Sequence, residues 1–143
     1  MSGASFEPAL LEKPIERENM TKARPLVAVV DDDESVRESL PDLLRELGYD
    51  AQAFSSAKEF LDSGCLGETA CLILDIAMPG VSGPELQQEL TRRGEKVPIV
   101  FITAQADKSV RAALLRKGAL EVLFKPYSEQ ELDAALDLAL RRP

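Results

Sequence analysis

Residues 71–80 read Cys-Leu-Ile-Leu-Asp-Ile-Ala-Met-Pro-Gly. Four apolar residues, Cys71 to Leu74, lead directly into one carboxylate, Asp75, and the pair Pro79-Gly80 stops the run. A short continuous apolar run bounded by turn residues fits a strand buried on both faces, as in a parallel sheet covered by helices. Asp75 then falls at the carboxyl end of that strand, the edge where open α/β sheets bind ligands. Taken alone, Asp75 is equally an Asp that opens an ordinary turn. The ends of the other strands decide between the two.

Four more strands are expected. Leu26 to Val30 is a buried strand ending in Asp31-Asp32-Asp33-Glu34, and Asp50 to Phe54 is a second. Pro98 to Ile102 ends in Thr103-Ala104, and Leu120 to Phe124 ends in Lys125-Pro126. Helical spacing separates them. Val36, Leu40, Leu43, Leu44 and Leu47 share one face of a first helix closed by Gly48. Pro41 lies inside it and removes a backbone donor, which predicts a bend near Arg37 to Pro41 rather than two helices. Ser55-Ser56 caps a short helix with Phe60 and Leu61 inward. Residues 64–69 are a loop. Pro84 opens a third helix with Leu86 and Leu90, which ends near Gly94. A fourth, over residues 107–117, turns Val110 and Leu114 inward before Gly118. Ser128-x-x-Glu131 is a capping box for a fifth, with Leu132, Ala135, Leu136 and Leu140 at helical spacing. Alternating strands and helices with short connections predict a doubly wound α/β domain over residues 25–143. The expected order is 2-1-3-4-5, the flavodoxin-like topology. Residues 1–24, with Pro8 and Pro14, read as a flexible arm, although Phe6, Leu10, Leu11 and Ile15 have the spacing of a short amphipathic turn.

Composition narrows the chemistry. The chain has no His, which removes Ser-His-Asp and Cys-His catalysis and most zinc sites. A net charge of −8 argues against a diffuse basic surface for nucleic acid. Cys65 and Cys71 form no metal or redox motif, and Cys71 falls in the core run, so a reducing cytoplasm fits. No apolar run is long enough to span a membrane, and no secretion signal opens the chain. Any reaction must come from carboxylates, Lys, Thr or Ser.

Those groups gather at one sheet edge in the expected order. Asp31 and Asp32 end the first strand, Asp75 the third and Thr103 the fourth, while Lys125 follows the fifth. Crowded carboxylates repel one another and raise each other's pKa values. A divalent cation relieves this, and Mg²⁺ prefers such hard oxygen ligands. Thr103 and Lys125 supply a hydroxyl and an ammonium that hold an anion beside the metal. An anion so placed fits a phosphoryl group, with Asp75 as the nucleophile forming an aspartyl phosphate.

At these residues the chain resembles the receiver domain of two-component response regulators, over roughly residues 26 to 140. The matching segments are Val-Val-Asp31-Asp32-Asp33, Leu-Asp75-Ile-Ala-Met-Pro-Gly-Val-Ser-Gly, Phe-Ile-Thr103-Ala and Phe-Lys125-Pro126-Tyr. The wording around them, such as Glu-Ser-Val-Arg-Glu-Ser-Leu, is most similar to FixJ-type regulators. The resemblance implies that Asp75 is the phosphoacceptor and that Asp31 and Asp32 are the acidic pair, with Asp32 the direct Mg²⁺ ligand. It implies that the backbone carbonyl of Ala77 is a further ligand, Thr103 the hydroxyl that turns onto the phosphoryl group, and Lys125 the motif lysine. It implies a cis Lys125-Pro126 peptide. The donor phosphohistidine would belong to a separate sensor histidine kinase or phosphotransfer protein, and the domain would catalyse only its own phosphorylation and dephosphorylation.

The sequence also departs from the family pattern. Three residues before Lys125, where an aromatic is frequent, stands Val122, while Phe124 is adjacent to the lysine. Ala77 has no group to orient an attacking water and Gln105 does, which predicts slow autodephosphorylation. The chain carries no helix-turn-helix pattern, so direct DNA binding is not expected of it. Two outputs stay open: docking on a downstream effector, with phosphorylation-dependent homodimerisation as a variant, or service as the receiver portion of a longer FixJ-type DNA-binding regulator. A phosphotransferase with an aspartyl intermediate is disfavoured, since no second Asp follows Asp75 by two.

Overall fold

The structure is a computed structural model that describes residues 24–140. The expected arm, including the turn around Phe6, Leu10, Leu11 and Ile15, lies outside the described residues up to position 23.

Five parallel strands carry the fold: β1 (Leu26–Val30), β2 (Asp50–Phe54), β3 (Thr69–Asp75), β4 (Ile99–Thr103) and β5 (Glu121–Phe124). They form one sheet in the order β2-β1-β3-β4-β5. The helices between and after them are α1 (Glu34–Glu46), α2 (Ala57–Asp62), α3 (Gly83–Arg92), α4 (Lys108–Arg116) and α5 (Glu129–Leu140). The flavodoxin-like fold and strand order agree with the sequence reading.

Strand alternation divides the core into two layers. Ala28, Val30, Leu72, Leu74, Phe101 and Val122 face Phe60, Leu86, Leu90 and Leu114 of α2, α3 and α4. Val27, Val29, Cys71, Ile73, Val100, Ile102 and Leu123 face Leu40 and Leu44 of α1 and Leu132 and Leu136 of α5. The central strands are therefore apolar at successive positions, because both faces are covered.

Local chemistry explains the element ends. Asp33 caps α1 by accepting from the Ser35 amide, and α1 continues as one helix through the buried Pro41. Ser56 and Ser82 accept from the amides of Glu59 and Glu85, and Glu85 returns to the Ser82 amide, completing a capping box. Ser128 and Glu131 make the same reciprocal pair ahead of α5. Gly48 and Gly118, at φ 104° and 107°, close α1 and α4 in a conformation that disfavours a side chain.

Two expectations are corrected. Residues 64–69 are not all loop: Leu66–Glu68 form a 3₁₀ turn and Thr69 already belongs to β3. There Thr69 Oγ1 donates to the Cys65 carbonyl, tying the turn to the strand start. Val110 does not point inward but is 38% exposed. All residues from 104 to 110 are exposed, and α4 docks on the sheet only from its second turn, where Leu114 is buried.

Candidate functional site

Parallel strands end at the same edge, and the polar residues there come together. Carboxylate oxygens of Asp31, Asp32 and Asp75 lie within 4.8 Å of one another. Asp31 is fully buried, Asp75 nearly so, and Asp32 is exposed. Register explains the placement: Val30 pairs with Leu74 across β1 and β3, so the next residues, Asp31 and Asp75, leave the sheet side by side. Asp75 also pairs with Ile102 of β4, which puts Thr103 one residue beyond.

Every polar group of Asp31 is held. Its amide donates to the Phe54 carbonyl at 3.1 Å. One carboxylate oxygen accepts from the Asp33 amide at 2.9 Å and the other from Lys125 Nζ at 3.2 Å. Its carbonyl accepts from Arg37 Nη1 at 3.0 Å. Lys125 is aimed from the far end of the sheet: its amide donates to the Thr103 carbonyl at 2.7 Å, and the Lys125-Pro126 peptide is cis, as the sequence implied. Tyr127, two residues on, packs into the same layer as α1 and α5, and burial followed by the charge of Asp31 raises its phenol pKa.

Asp75 bears the cost of crowding. Burial, and then the neighbouring Asp31 charge, push its carboxyl up to about 7, although Lys125 acts in the opposite direction. Thr103 is buried, and its hydroxyl accepts from the Gln105 amide at 3.1 Å. Ala77 is exposed in the loop after Asp75. Thus Asp31, Asp32, Asp75 and Lys125 converge, while Thr103 sits beside them with its hydroxyl turned to its own loop.

The donor set fits Mg²⁺. It consists of hard carboxylate oxygens whose mutual repulsion a divalent cation would relieve, and Asp32 leaves one side open to water.

Two structural residues escaped the sequence reading. Arg37 reaches back from α1 to the Asp31 carbonyl. Gly83, at the start of α3, packs so closely that a Cβ would collide with the Asp75 carbonyl oxygen and meet Phe101 Cε1 at 3.0 Å. The signal for Gly83 was its position before Pro84, one residue into a cap. Nothing in the spacing singled out Arg37.

A doubly wound parallel sheet with an acidic trio and a paired lysine at its carboxyl edge defines a flavodoxin-like domain built around a central aspartate. The comparisons give the family. A family model described as the response regulator receiver domain matches residues 27–137, and the chain belongs to that family. The transcriptional regulatory protein TdiR of Thauera aromatica is 46% identical over 80% of this chain and 50% of its own length. The transcriptional regulatory protein FixJ of Azorhizobium caulinodans is 37% identical over 81% of this chain and 55% of its own. Among solved structures, the response regulator StyR superposes with a TM-score of 0.76 at 45% identity, covering 83% of this chain and 60% of that one. A response regulator receiver protein from Burkholderia phymatum does so with a TM-score of 0.72 at 39% identity, covering 82% and 95%. The chain spans about half the length of the curated relatives it matches. As a receiver domain of a response regulator it is a signalling protein, and response regulators work with histidine kinases and effector domains. Among the described residues, no helix is long and apolar enough to cross a membrane.

Proposed function

We propose that Asp75 accepts a phosphoryl group from a phosphohistidine on a separate sensor histidine kinase or phosphotransfer protein, in the cytoplasm. The observation that supports this most is the convergence of the Asp31, Asp32 and Asp75 oxygens within 4.8 Å, with Lys125 Nζ on Asp31. In the transfer, an Asp75 carboxylate oxygen attacks phosphorus. A P–O bond forms, the P–N bond to the donor imidazole breaks, and its electron pair leaves on nitrogen. Attack needs Asp75 ionised, and its raised pKa opposes that until positive charge is brought close.

Asp31, Asp32, Asp75 and the Ala77 carbonyl would hold Mg²⁺, which when bound supplies positive charge against the phosphoryl oxygens. Lys125 adds an ammonium at the same edge. Thr103 can release Gln105 and donate its hydroxyl to the new phosphoryl group. The domain catalyses only its own phosphorylation and, more slowly, hydrolysis of the aspartyl phosphate, in which water attacks phosphorus and the Asp75 carboxylate and inorganic phosphate are released. The altered surface is then read by a downstream effector or by a second phosphorylated copy.

Acetyl phosphate with Mg²⁺, read by intact mass, tests the proposal. One added phosphoryl group is expected, and none on Asp75→Asn. No gain, or a gain that survives the substitution, overturns it. Size measurement of the same sample separates a homodimer from a monomer that awaits its effector.

A second reading of the output has its own support. The relatives are named transcriptional regulators and are about twice as long as the matched region. The chain would then be the receiver portion of a FixJ-type DNA-binding regulator. Reading the gene past the codon for Pro143 distinguishes the two.

A further inference from the structure

Asp32 differs from the other acidic residues of the site. Asp31 is tied at its amide, its carbonyl and both carboxylate oxygens. The exposed Asp32 makes no side-chain hydrogen bond among those of the described residues. Its carboxylate is therefore aimed only by its own backbone, and that backbone is a short loop between β1 and α1. The question is what holds the loop.

The Arg37 side chain holds it. The Arg37 amide donates to the Asp33 carbonyl at 3.2 Å, as part of the first turn of α1. The Arg37 guanidinium donates to the Asp31 carbonyl at 3.0 Å. The amide bond is the ordinary helical one that any non-proline residue at 37 would make; the guanidinium bond is specific to the arginine and ties the carbonyl just before Asp32 to the first turn of α1. The guanidinium charge is also felt by the carboxylates of Asp33 and of Glu59 on α2. Glu59 is itself fixed on the Ser55 amide at 2.6 Å. Arginine suits this work because its planar fork offers several fixed donors to one neighbourhood.

We infer that Arg37 is a positioning residue for the cation site: by tying the Asp31 carbonyl to the start of α1, its guanidinium pre-sets the adjoining Asp32 carboxylate for Mg²⁺. The inference rests on the metal reading of the acidic trio given above. It makes a prediction opposite in sign to simple electrostatics. As a mere positive charge near the trio, Arg37 repels a cation, and its removal tightens binding. As a clamp, its removal weakens binding. Loss of an outer partner that orients a metal ligand typically lowers metal affinity about 10- to 100-fold, so Arg37→Ala is expected to raise the Mg²⁺ Kd roughly tenfold. Arg37→Lys keeps the charge and one donor and falls between Arg37→Ala and wild type.

The test uses the full chain without any phosphodonor. Amide chemical-shift titration with Mg²⁺ gives Kd for wild type, Arg37→Ala and Arg37→Lys. Amide hydrogen exchange in metal-free protein follows Asp33 and Ser35, whose amides bond to Asp31 and Asp33 side chains. Faster exchange at these two amides, with core strands unchanged, is expected in Arg37→Ala together with the weaker Kd. An unchanged or tighter Kd in Arg37→Ala overturns the inference. If Arg37→Ala does not fold, Arg37→Lys decides: a Kd equal to wild type overturns it and a weaker one supports it. A wild-type protein that shows no shift at the acidic trio with Mg²⁺ overturns the metal reading itself, and the inference with it, and so the two failures are distinguishable.

Discussion

Lys125 Nζ donates to Asp31 Oδ2 at 3.2 Å, joining the residue after β5 to the residue after β1 across the central strands. Asp31 is fully buried and Lys125 largely so, with 24% of its side chain exposed. A buried carboxylate stripped of its partner is costly. Lys125→Met keeps the volume of the stem and removes the charge, and is expected to destabilise the fold by roughly 3 kcal/mol in denaturant unfolding. Adding Asp31→Asn to that variant removes the orphaned charge, and most of the loss should return. A double variant as unstable as the single one would show that the cost lies in packing around the lysine stem.

Asp75 gives the metal-free protein a pH dependence of definite sign. Its carboxyl titrates at about 7 in the fold, against 3.8 ordinarily. The native state therefore holds this proton more tightly than the unfolded chain. The stability linked to it is complete below about 3.8, falls as pH rises, and is gone once pH passes about 7. Asp33, Glu89 and Asp107 have lowered pKa values, from hydrogen bonds with Ser35, with Arg92 and Arg93, and with Ser109 and Val110. Their linked stability runs the other way, but it is lost only in acid. In chelator, the melting temperature is expected to fall from about pH 5 to pH 8 in wild type and to be flatter in Asp75→Asn. Mg²⁺ at ten times its Kd should restore about 1.4 kcal/mol at the upper end, since it binds the native trio and not the unfolded chain. A wild-type profile as flat as that of Asp75→Asn would contradict the crowding described for the trio.

Gly83 lets α3 start directly against the end of β3. Its amide donates to the Ile76 carbonyl at 3.0 Å, and any Cβ meets the Asp75 carbonyl. Gly83→Ala must push the helix start away from the strand, and overpacking of this kind costs typically 1–3 kcal/mol, about the loss expected in thermal or denaturant melts. Because the displaced group is the backbone of Asp75, labelling by acetyl phosphate should slow as well. Full stability in Gly83→Ala would mean that the α3 start shifts freely.

Much of this was legible before the structure. The central strands are buried on both faces, so they carry continuous apolar runs, and each polar residue that ends a run, such as Asp31 or Asp75, marks the sheet edge. The capping box at Ser128 and the Pro84 that opens α3 give helix starts to within a residue or so. What was not legible depends on where elements sit rather than on their own pattern. Val110 has the spacing of an inward residue, four before the buried Leu114, yet the first turn of α4 is not covered. The contact from Arg37 to the Asp31 carbonyl is set by the length of the β1–α1 loop, which no periodicity encodes. Gly83 looks like a loop glycine until α3 is docked against the end of β3.

The phosphorylated form should be long-lived. Hydrolysis needs a water aimed at phosphorus, and Ala77 has no side-chain group to aim it. Gln105 is exposed in the β4–α4 loop and is the nearest polar candidate in sequence to Thr103. Purified phosphoprotein in Mg²⁺ is expected to survive for many minutes by intact mass, and Gln105→Leu should prolong it. Decay within seconds would require another group to activate the water.

With Asp75 phosphorylated as proposed, readout is expected to run through Thr103, alone or with Phe124, since position 122 offers no aromatic to move. Val122 is buried at 4% exposure. Phe124 pairs with Thr103 across β4 and β5, is partly buried, and packs on the same layer as Val122. At rest the Thr103 hydroxyl accepts from the Gln105 amide, the Gln105 carbonyl accepts from the Asp107 amide at 3.0 Å, and Asp107 caps α4. Drawing the hydroxyl onto a phosphoryl group leaves the Gln105 amide without its partner and pulls on the turn that ends at the α4 cap. Since the first turn of α4 has no core contact to hold it, little energy opposes its movement. Phosphorylation is therefore expected to shift amide resonances from Gln105 to Val110 and at Phe124, with smaller effects on α1 and α2. Thr103→Ala should still be labelled on Asp75 but lose those shifts. An unmoved α4 and β5 in the phosphorylated wild type would rule out this route from Asp75 to the surface.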